Sequence, residues 1–276
     1  MKTRVIAWWS GGIASAYACH IALQIYKNVV IVFQDTDNED EDTYRFLTDC
    51  EKLYSQQIER ISRIGKDYKN IEEIWFKYLS LNNATGAICS TELKREVREE
   101  YQNPKTDHAQ IFGYDMSETK RHFNMRKNYP EINCISPLID NKISKADCIN
   151  FFKQQGIEIP NAYKLGFRNN NCLQTGCVRG GIGYWKQYKR QFPERFNRMA
   201  EREHELTNLK GEPVTILKNQ SATAPKENGF APMFLKPHPD YPHIKDLSRM
   251  KGKTPEPIVE CNGFCYTIDF KEKELV

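Results

Sequence analysis

The 276-residue chain has no apolar run near the ~20 residues that a membrane-crossing helix requires; the cleanest, Val29 to Phe33, is a fraction of that length. A helical membrane protein is thereby excluded. Nor is there a strong excess of either charge. The 40 Lys and Arg stand against 36 Asp and Glu, a net +4, which permits an anionic ligand without by itself indicating nucleic acid. Internal repeats, low-complexity tracts and an HExxH zinc signature are absent. A secretion signal is imitated but not reached: MKTRVIAWWS carries two positive charges, yet Val5 to Trp9 is shorter than a signal core and stops at Ser10-Gly11-Gly12. The segment reads as a first strand, and the expected compartment is the cytoplasm. The cysteines are nine, an odd number. Without a signal they disfavour a disulfide framework and favour reduced thiols or metal ligands. Aromatics are not lacking: 14 Tyr, 14 Phe and 4 Trp supply a core and argue against general disorder.

The first half alternates strand-like and helix-like segments. Arg4 to Trp9, Val29 to Phe33, Ile58 to Ile64, Ala109 to Gly113 and Ile132 to Ile135 read as strands. Ile13 to Tyr26, Glu41 to Tyr54, Ile71 to Leu81, Thr91 to Tyr101, Ser117 to Lys127 and Lys145 to Gln155 read as helices, with Ser10 as cap of the first. This pattern predicts an α/β fold: a mostly parallel sheet of five or six strands, covered on both faces, that binds ligands at the C-terminal strand ends. Residues 1–165 form the expected nucleotide-binding domain. Residues 166–276 form a smaller helical or irregular region bearing cysteines, with a helical stretch from Tyr184 to Leu206 interrupted at Pro193.

Four groups of residues carry possible chemistry. Ser10-Gly11-Gly12-Ile13-Ala14-Ser15 follows a strand and opens a helix, so Ser10, Gly11, Gly12 and Ser15 suit a phosphate: glycines admit close backbone approach and helix-start amides face the anion. Cys172-x4-Cys177 and Cys261-x3-Cys265 are two close pairs able to supply four thiolates to Zn²⁺ or an iron–sulfur cluster, against the plainer reading of inert buried thiols. Among the acidic residues from Asp35 to Asp42, Asp35 ends a strand where it would hold Mg²⁺ or a nucleotide; the others read as a solvated helix start. Trp185, Tyr188, Phe192 and Phe196 recur at helical spacing and read as core. The Lys and Arg beside them are interleaved with Glu and read as a solvated face rather than a surface for tRNA or DNA. Cys19, Cys50, Cys134 and Cys148 read as core.

The SGGxxS loop resembles the PP-loop of the ATP pyrophosphatase superfamily. Four more segments are similar to its phosphoadenosine phosphosulfate (PAPS) reductase-like branch: Phe33 to Asp37, with Asp35-Thr36; Cys89 to Lys94; Gly113 through Glu118 and Arg121; and Ile135 to Asp140, with Asp147 and Gly156 to Pro160 after it. The resemblance runs from about residue 4 to 206. It implies binding of ATP or of PAPS or adenylyl sulfate (APS) with Mg²⁺. Ser10, Gly11, Gly12 and Ser15 would cradle phosphate, Asp35 and Thr36 would lie near the ribose or Mg²⁺, and Lys94 and Arg121 would stabilise charge. The loop departs from many members in having Ile13 and Ala14 where they have Lys-Asp, and the C-terminal thioredoxin-linked segment of true PAPS reductases is absent. Relatives place iron–sulfur clusters on cysteines of the regions around Cys89, Cys172 and Cys177, so Cys89 is either a ligand or a sulfur-carrying thiol. The implied activity is adenylation-linked sulfur transfer, with a sulfur-donor protein as partner. Sulfonucleotide reduction and a non-catalytic nucleotide-binding protein are the alternatives.

Overall fold

A computed structural model describes residues 3–83, 86–170, 172–219 and 231–251. Five strands form one parallel sheet: β1 (Arg4–Trp9), β2 (Val29–Gln34), β3 (Glu59–Ile61), β4 (Asp107–Ile111) and β5 (Cys134–Ile135), in the order β3-β2-β1-β4-β5. β1 and β2 pair from Val5↔Val29 to Trp9↔Phe33. The chain starts at the centre, builds outward through β2 and β3, and returns to the other side of β1 with β4. The C-terminal ends of β1 and β4 therefore flank the switch point where such sheets open a crevice.

Both faces of the sheet are buried, which is why its central strands are apolar throughout rather than alternating. One face carries Val5, Ala7, Trp9, Ile31 and Phe33 against the helices α1 (Ile13–Ile25), α2 (Glu41–Tyr54) and α5 (Lys145–Gln154). α3 (Ile71–Tyr78) and α4 (Thr119–Asn128) fall between these in the chain. The other face sets Ile6, Trp8 and Val32 against Phe112, Tyr114 and Met125. Ala14, Ala16, Ala18 and Ala22 of α1 are buried, so this helix lies close on the strands.

A further core joins Ile71, Ile74, Trp75, Ile88 and Leu93 to the C-terminal helices α6 (Ile182–Gln191) and α7 (Pro193–Lys210). The expected core residues Trp185, Tyr188 and Phe196 are each fully buried. The helical stretch is interrupted at Pro193 as expected: one helix ends at Gln191, and Pro193 starts the next in its first turn, where its missing N–H costs nothing. Of the basic side chains of this stretch, Arg195 pairs with Asp40 and Arg202 with Glu72 and Glu205. Cys19, Cys50, Cys134 and Cys148 are buried as expected. Among the described residues no helix is long and apolar enough to cross a membrane.

The C-terminal helix carries one buried acid. Glu203 is fully buried and accepts hydrogen bonds from the amides of Ile216 (2.8 Å) and Leu235 (2.7 Å), fastening the segment that follows the helix. Burial pushes its carboxyl up to about 8, although both amides pull it down. A raised carboxyl means that the folded state holds a proton the unfolded chain has released. Stability is therefore expected to fall as pH rises from about 4.5 to about 8 and to level off above. Urea titrations across that range on the protein and on Glu203→Gln check this: the variant lacks this slope.

Candidate functional site

The site begins where β1 turns into α1. The helix is capped by Gly12, not by Ser10 as the sequence suggests, and the cap residue makes no side-chain hydrogen bond. Apart from the Ile13 amide, the orphan amides of the first turn are left for another partner. The Ser10 hydroxyl instead bonds Ser15 Oγ at 2.9 Å; Ser15 Oγ accepts from the Ser10 amide (3.0 Å) and donates to the Gly12 carbonyl (2.9 Å). Gly11 holds φ +83°, and a Cβ there would lie 2.9 Å from Thr43 Cγ2. The Ile13 amide donates to Tyr163 Oη at 3.3 Å. β4 closes the corner from the other side: a Cβ on Gly113 would stand 2.3 Å from Ser15 Cα and 2.4 Å from its nitrogen.

Ser10 opens onto a cleft of about 620 Å³, whose walls also include Thr36, Glu39, Cys89, Lys94, Asn170, Cys172, Cys177 and Arg179, with Ile71, Trp75 and Val178 on an apolar side. Three separate stretches bring these groups together. The loop after β2 supplies Thr36 and Glu39. Glu39 is buried; it accepts from Thr36 Oγ1 at 3.1 Å and lies 4.0 Å from Lys94 Nζ. Lys94 and Cys89 come from the second stretch. Here the expected helix from Thr91 is a π-helical turn, Thr91–Arg95, between the short helices Ile88–Ser90 and Glu96–Tyr101. Such wide turns are rare and recur at functional sites.

The third stretch is the cysteine loop 172–177, held by α6 and α7. Tyr184 Oη accepts from the Cys177 amide (3.0 Å), Tyr188 Oη donates to the Leu173 carbonyl (2.9 Å), and Arg195 donates to the same carbonyl (3.0 Å). Gly176, at φ +80°, lies under Trp185, whose ring would stand 2.5 Å from a Cβ there. Asn38 Nδ2 ties the loop to the β2 side through Thr175 Oγ1 at 2.9 Å. Burial, then the Glu39 carboxylate and the neighbouring Cys177 and Cys89, raise the Cys172 thiol well above its usual range, against the pull of Lys94.

Three thiols on one cleft are a donor set whose chemistry fits zinc or an iron–sulfur cluster. Among the described residues, however, no three His, Cys, Asp or Glu side chains are drawn together around a single ion position. Cys261 and Cys265, the expected second pair, lie outside the described residues.

Of the residues expected at the site, Ser10, Thr36, Cys89, Lys94, Cys172 and Cys177 line the one cleft. Asp35 does not. Its carboxylate accepts from Tyr44 Oη (2.9 Å), from the Asp37 amide (2.9 Å) and from Arg60 Nε (3.0 Å), the set of a strand-end anchor rather than an open ligand position. Arg121 is also absent from the lining; it pairs with Glu118 and stacks 4.9 Å over the Tyr114 ring. Glu39, read as part of a solvated helix start, is instead buried in the cleft wall, while Asp40 caps α2. Asn170 and Arg179 had no signal beyond standing near Cys172 and Cys177.

No curated protein matches the chain. Among solved structures it is similar to PAPS reductase from Candida auris in a phosphate complex, at 16% identity over 61% of this chain and 80% of that one, TM-score 0.47. It is also similar to NMN synthetase from Francisella tularensis (14% identity, 74% and 86%, TM-score 0.39). A third is the U34-tRNA thiolase NcsA from Methanococcus maripaludis with its [4Fe-4S] cluster (11% identity, 74% and 72%, TM-score 0.38). None of these likenesses is near enough to carry a functional conclusion. The model of the phosphoadenosine phosphosulfate reductase domain matches residues 4–178, more than half of the chain, with the whole of the sheet and loop and all of the cleft lining just described except Arg179. The chain belongs to that family.

Proposed function

We propose that this protein binds ATP at the β1–α1 corner and uses it for adenylation-linked sulfur transfer in the adjoining cleft. The observation that supports this most is the sharing of one cleft by Ser10, Lys94 and the three thiols of Cys89, Cys172 and Cys177. In this reading the amides at the start of α1, with the Ser10 hydroxyl turned from Ser15 toward the anion, hold the phosphates, and Ser15 braces the loop through the Gly12 carbonyl. An oxygen of the acceptor attacks the α-phosphorus and pyrophosphate leaves. Lys94, which comes from the π-helical turn rather than from the loop itself and lies 4.0 Å from Glu39, neutralises charge gathering on the phosphates, the task that Ile13 and Ala14 cannot perform. A sulfide equivalent from a donor then displaces AMP. The three thiols are the groups suited to hold an iron–sulfur cluster, which would bind or deliver sulfur when present. The apolar side of Ile71, Trp75 and Val178 excludes water that would hydrolyse the adenylate. Mg²⁺ would accompany the phosphates.

Anaerobic purification with a visible spectrum and iron and zinc analysis, followed by calorimetry with ATP and with PAPS, tests the reading. Binding of ATP by a brown, iron-containing protein is expected. Failure of any adenine nucleotide to bind would refute it, and release of sulfite from PAPS with a thiol reductant would replace it by sulfonucleotide reduction. Lys94→Ala is expected to weaken ATP binding about tenfold or more, the loss of one charge-assisted contact; unchanged affinity in the same calorimetric titration would remove Lys94 from the mechanism.

A further inference from the structure

Asn170 stands between the phosphate-loop corner and the cysteine loop, and half of its amide makes no hydrogen bond to the described residues. Its Nδ2 donates to the Gly11 carbonyl and to Thr43 Oγ1, each at 2.9 Å. A carbonyl only accepts, so the Gly11 bond decides which end of the amide is nitrogen and which is oxygen. The oxygen is thereby turned away from the loop. Asn170 is 4% exposed, it lines the cleft, and among the described residues its buried Oδ1 has no hydrogen-bond partner. A buried amide oxygen left unpaired is costly, and the cost is recovered when a ligand brings a donor.

The chemistry of that donor is restricted. Phosphate and sulfate oxygens are acceptors and would be repelled by Oδ1; a hydroxyl would be held. With the phosphates on the start of α1, the group one step along an adenine nucleotide is its ribose. We infer that Asn170 is a nucleotide-positioning residue whose Oδ1 accepts from a ribose hydroxyl, and that the site accordingly favours a nucleotide with free hydroxyls, such as ATP, over one bearing a 3′-phosphate. This inference rests on the nucleotide reading above and adds which substrate class the site selects.

Calorimetric titration of the full chain with ATP, 2′-deoxy-ATP and 3′-deoxy-ATP tests it. One deoxy analogue is expected to bind about tenfold more weakly than ATP, because its missing hydroxyl leaves Oδ1 unpaired. In Asn170→Ala that ratio falls to about one. In Thr43→Val, which loses a partner of Nδ2 but keeps Oδ1, the ratio persists, and this separates ligand recognition from support of the loop. Should Asn170→Ala not fold, Asn170→Leu keeps the volume without the amide and takes the same comparison. Equal binding of all three nucleotides to the unmodified protein overturns the inference, as does a ratio that survives loss of the amide. No binding of ATP at all overturns the nucleotide reading and this inference with it, so the two failures are told apart.

Discussion

Gly113→Ala is expected to weaken nucleotide binding about a hundredfold while leaving most of the secondary structure in place. The added methyl would lie 2.3 Å from Ser15 Cα, 2.4 Å from Ser15 N and 2.8 Å from the Ala14 carbonyl carbon. These are backbone atoms of the first turn of α1, and no side-chain rotation relieves the clash. Either β4 or the start of α1 must move by the order of an ångström. Overpacking of this kind costs about 1–3 kcal/mol, and more where backbone meets backbone. A shift of that size in groups holding a ligand costs about a hundredfold in what they do. Circular dichroism on the variant should show a folded protein with a lowered Tm, and calorimetry should show ATP affinity reduced by about a hundredfold. Binding within a factor of two of the parent protein would mean that the β1–α1 corner is not where the phosphates lie.

Cys177→Ser carries the second large effect. The Cys177 amide donates to the Tyr184 hydroxyl, and the loop is also fastened through the Leu173 carbonyl by Tyr188 and Arg195. A serine therefore leaves the loop in place and removes only the sulfur. In the proposed reading, the anaerobically purified variant loses its bound iron and its sulfur-transfer product almost completely, with stability changed by only about 1 kcal/mol. Cys172→Ser and Cys89→Ser should behave alike. Cys148→Ser is the control: that thiol sits in the sheet core beside Phe152 and α1, and it should keep the metal content of the parent. Equal metal content in all four proteins would dismiss the three cleft cysteines as ligands.

The fold was legible where periodicity alone specifies it. β1 and α2 run over the expected residues, and the central strands announce themselves as apolar runs because both faces of a parallel sheet are covered. Boundaries failed where tertiary partners intervene. The strand expected over residues 58–64 keeps only Glu59–Ile61, since it has one neighbour, β2, with which to pair. The helix expected from Thr91 opens with a π-turn that apolar spacing does not distinguish from an α-helix. At the site, the glycines and serines of the loop were readable because local backbone chemistry demands them. The surroundings of Asp35, expected near ribose or Mg²⁺, and of Glu39, expected in a solvated helix start, were not readable. Both are acids just beyond one strand, and only the positions of Arg60, Tyr44 and Lys94, each distant in sequence, show that the first is an anchor and the second faces the cleft.

By itself the order of residues determined a parallel sheet with a phosphate-suited turn after its first strand, and a family, because these follow from hydrophobic runs, glycine placement and short motifs read in sequence. Tertiary structure alone decided that Cys89, Lys94 and the 172–177 loop stand around one space, and that Arg121 does not line it. Side chains some eighty residues apart meet through the packing of α6 and α7 on Ile71, Ile74, Trp75, Ile88 and Leu93, and such packing depends on the shapes of all the parts at once rather than on any local pattern.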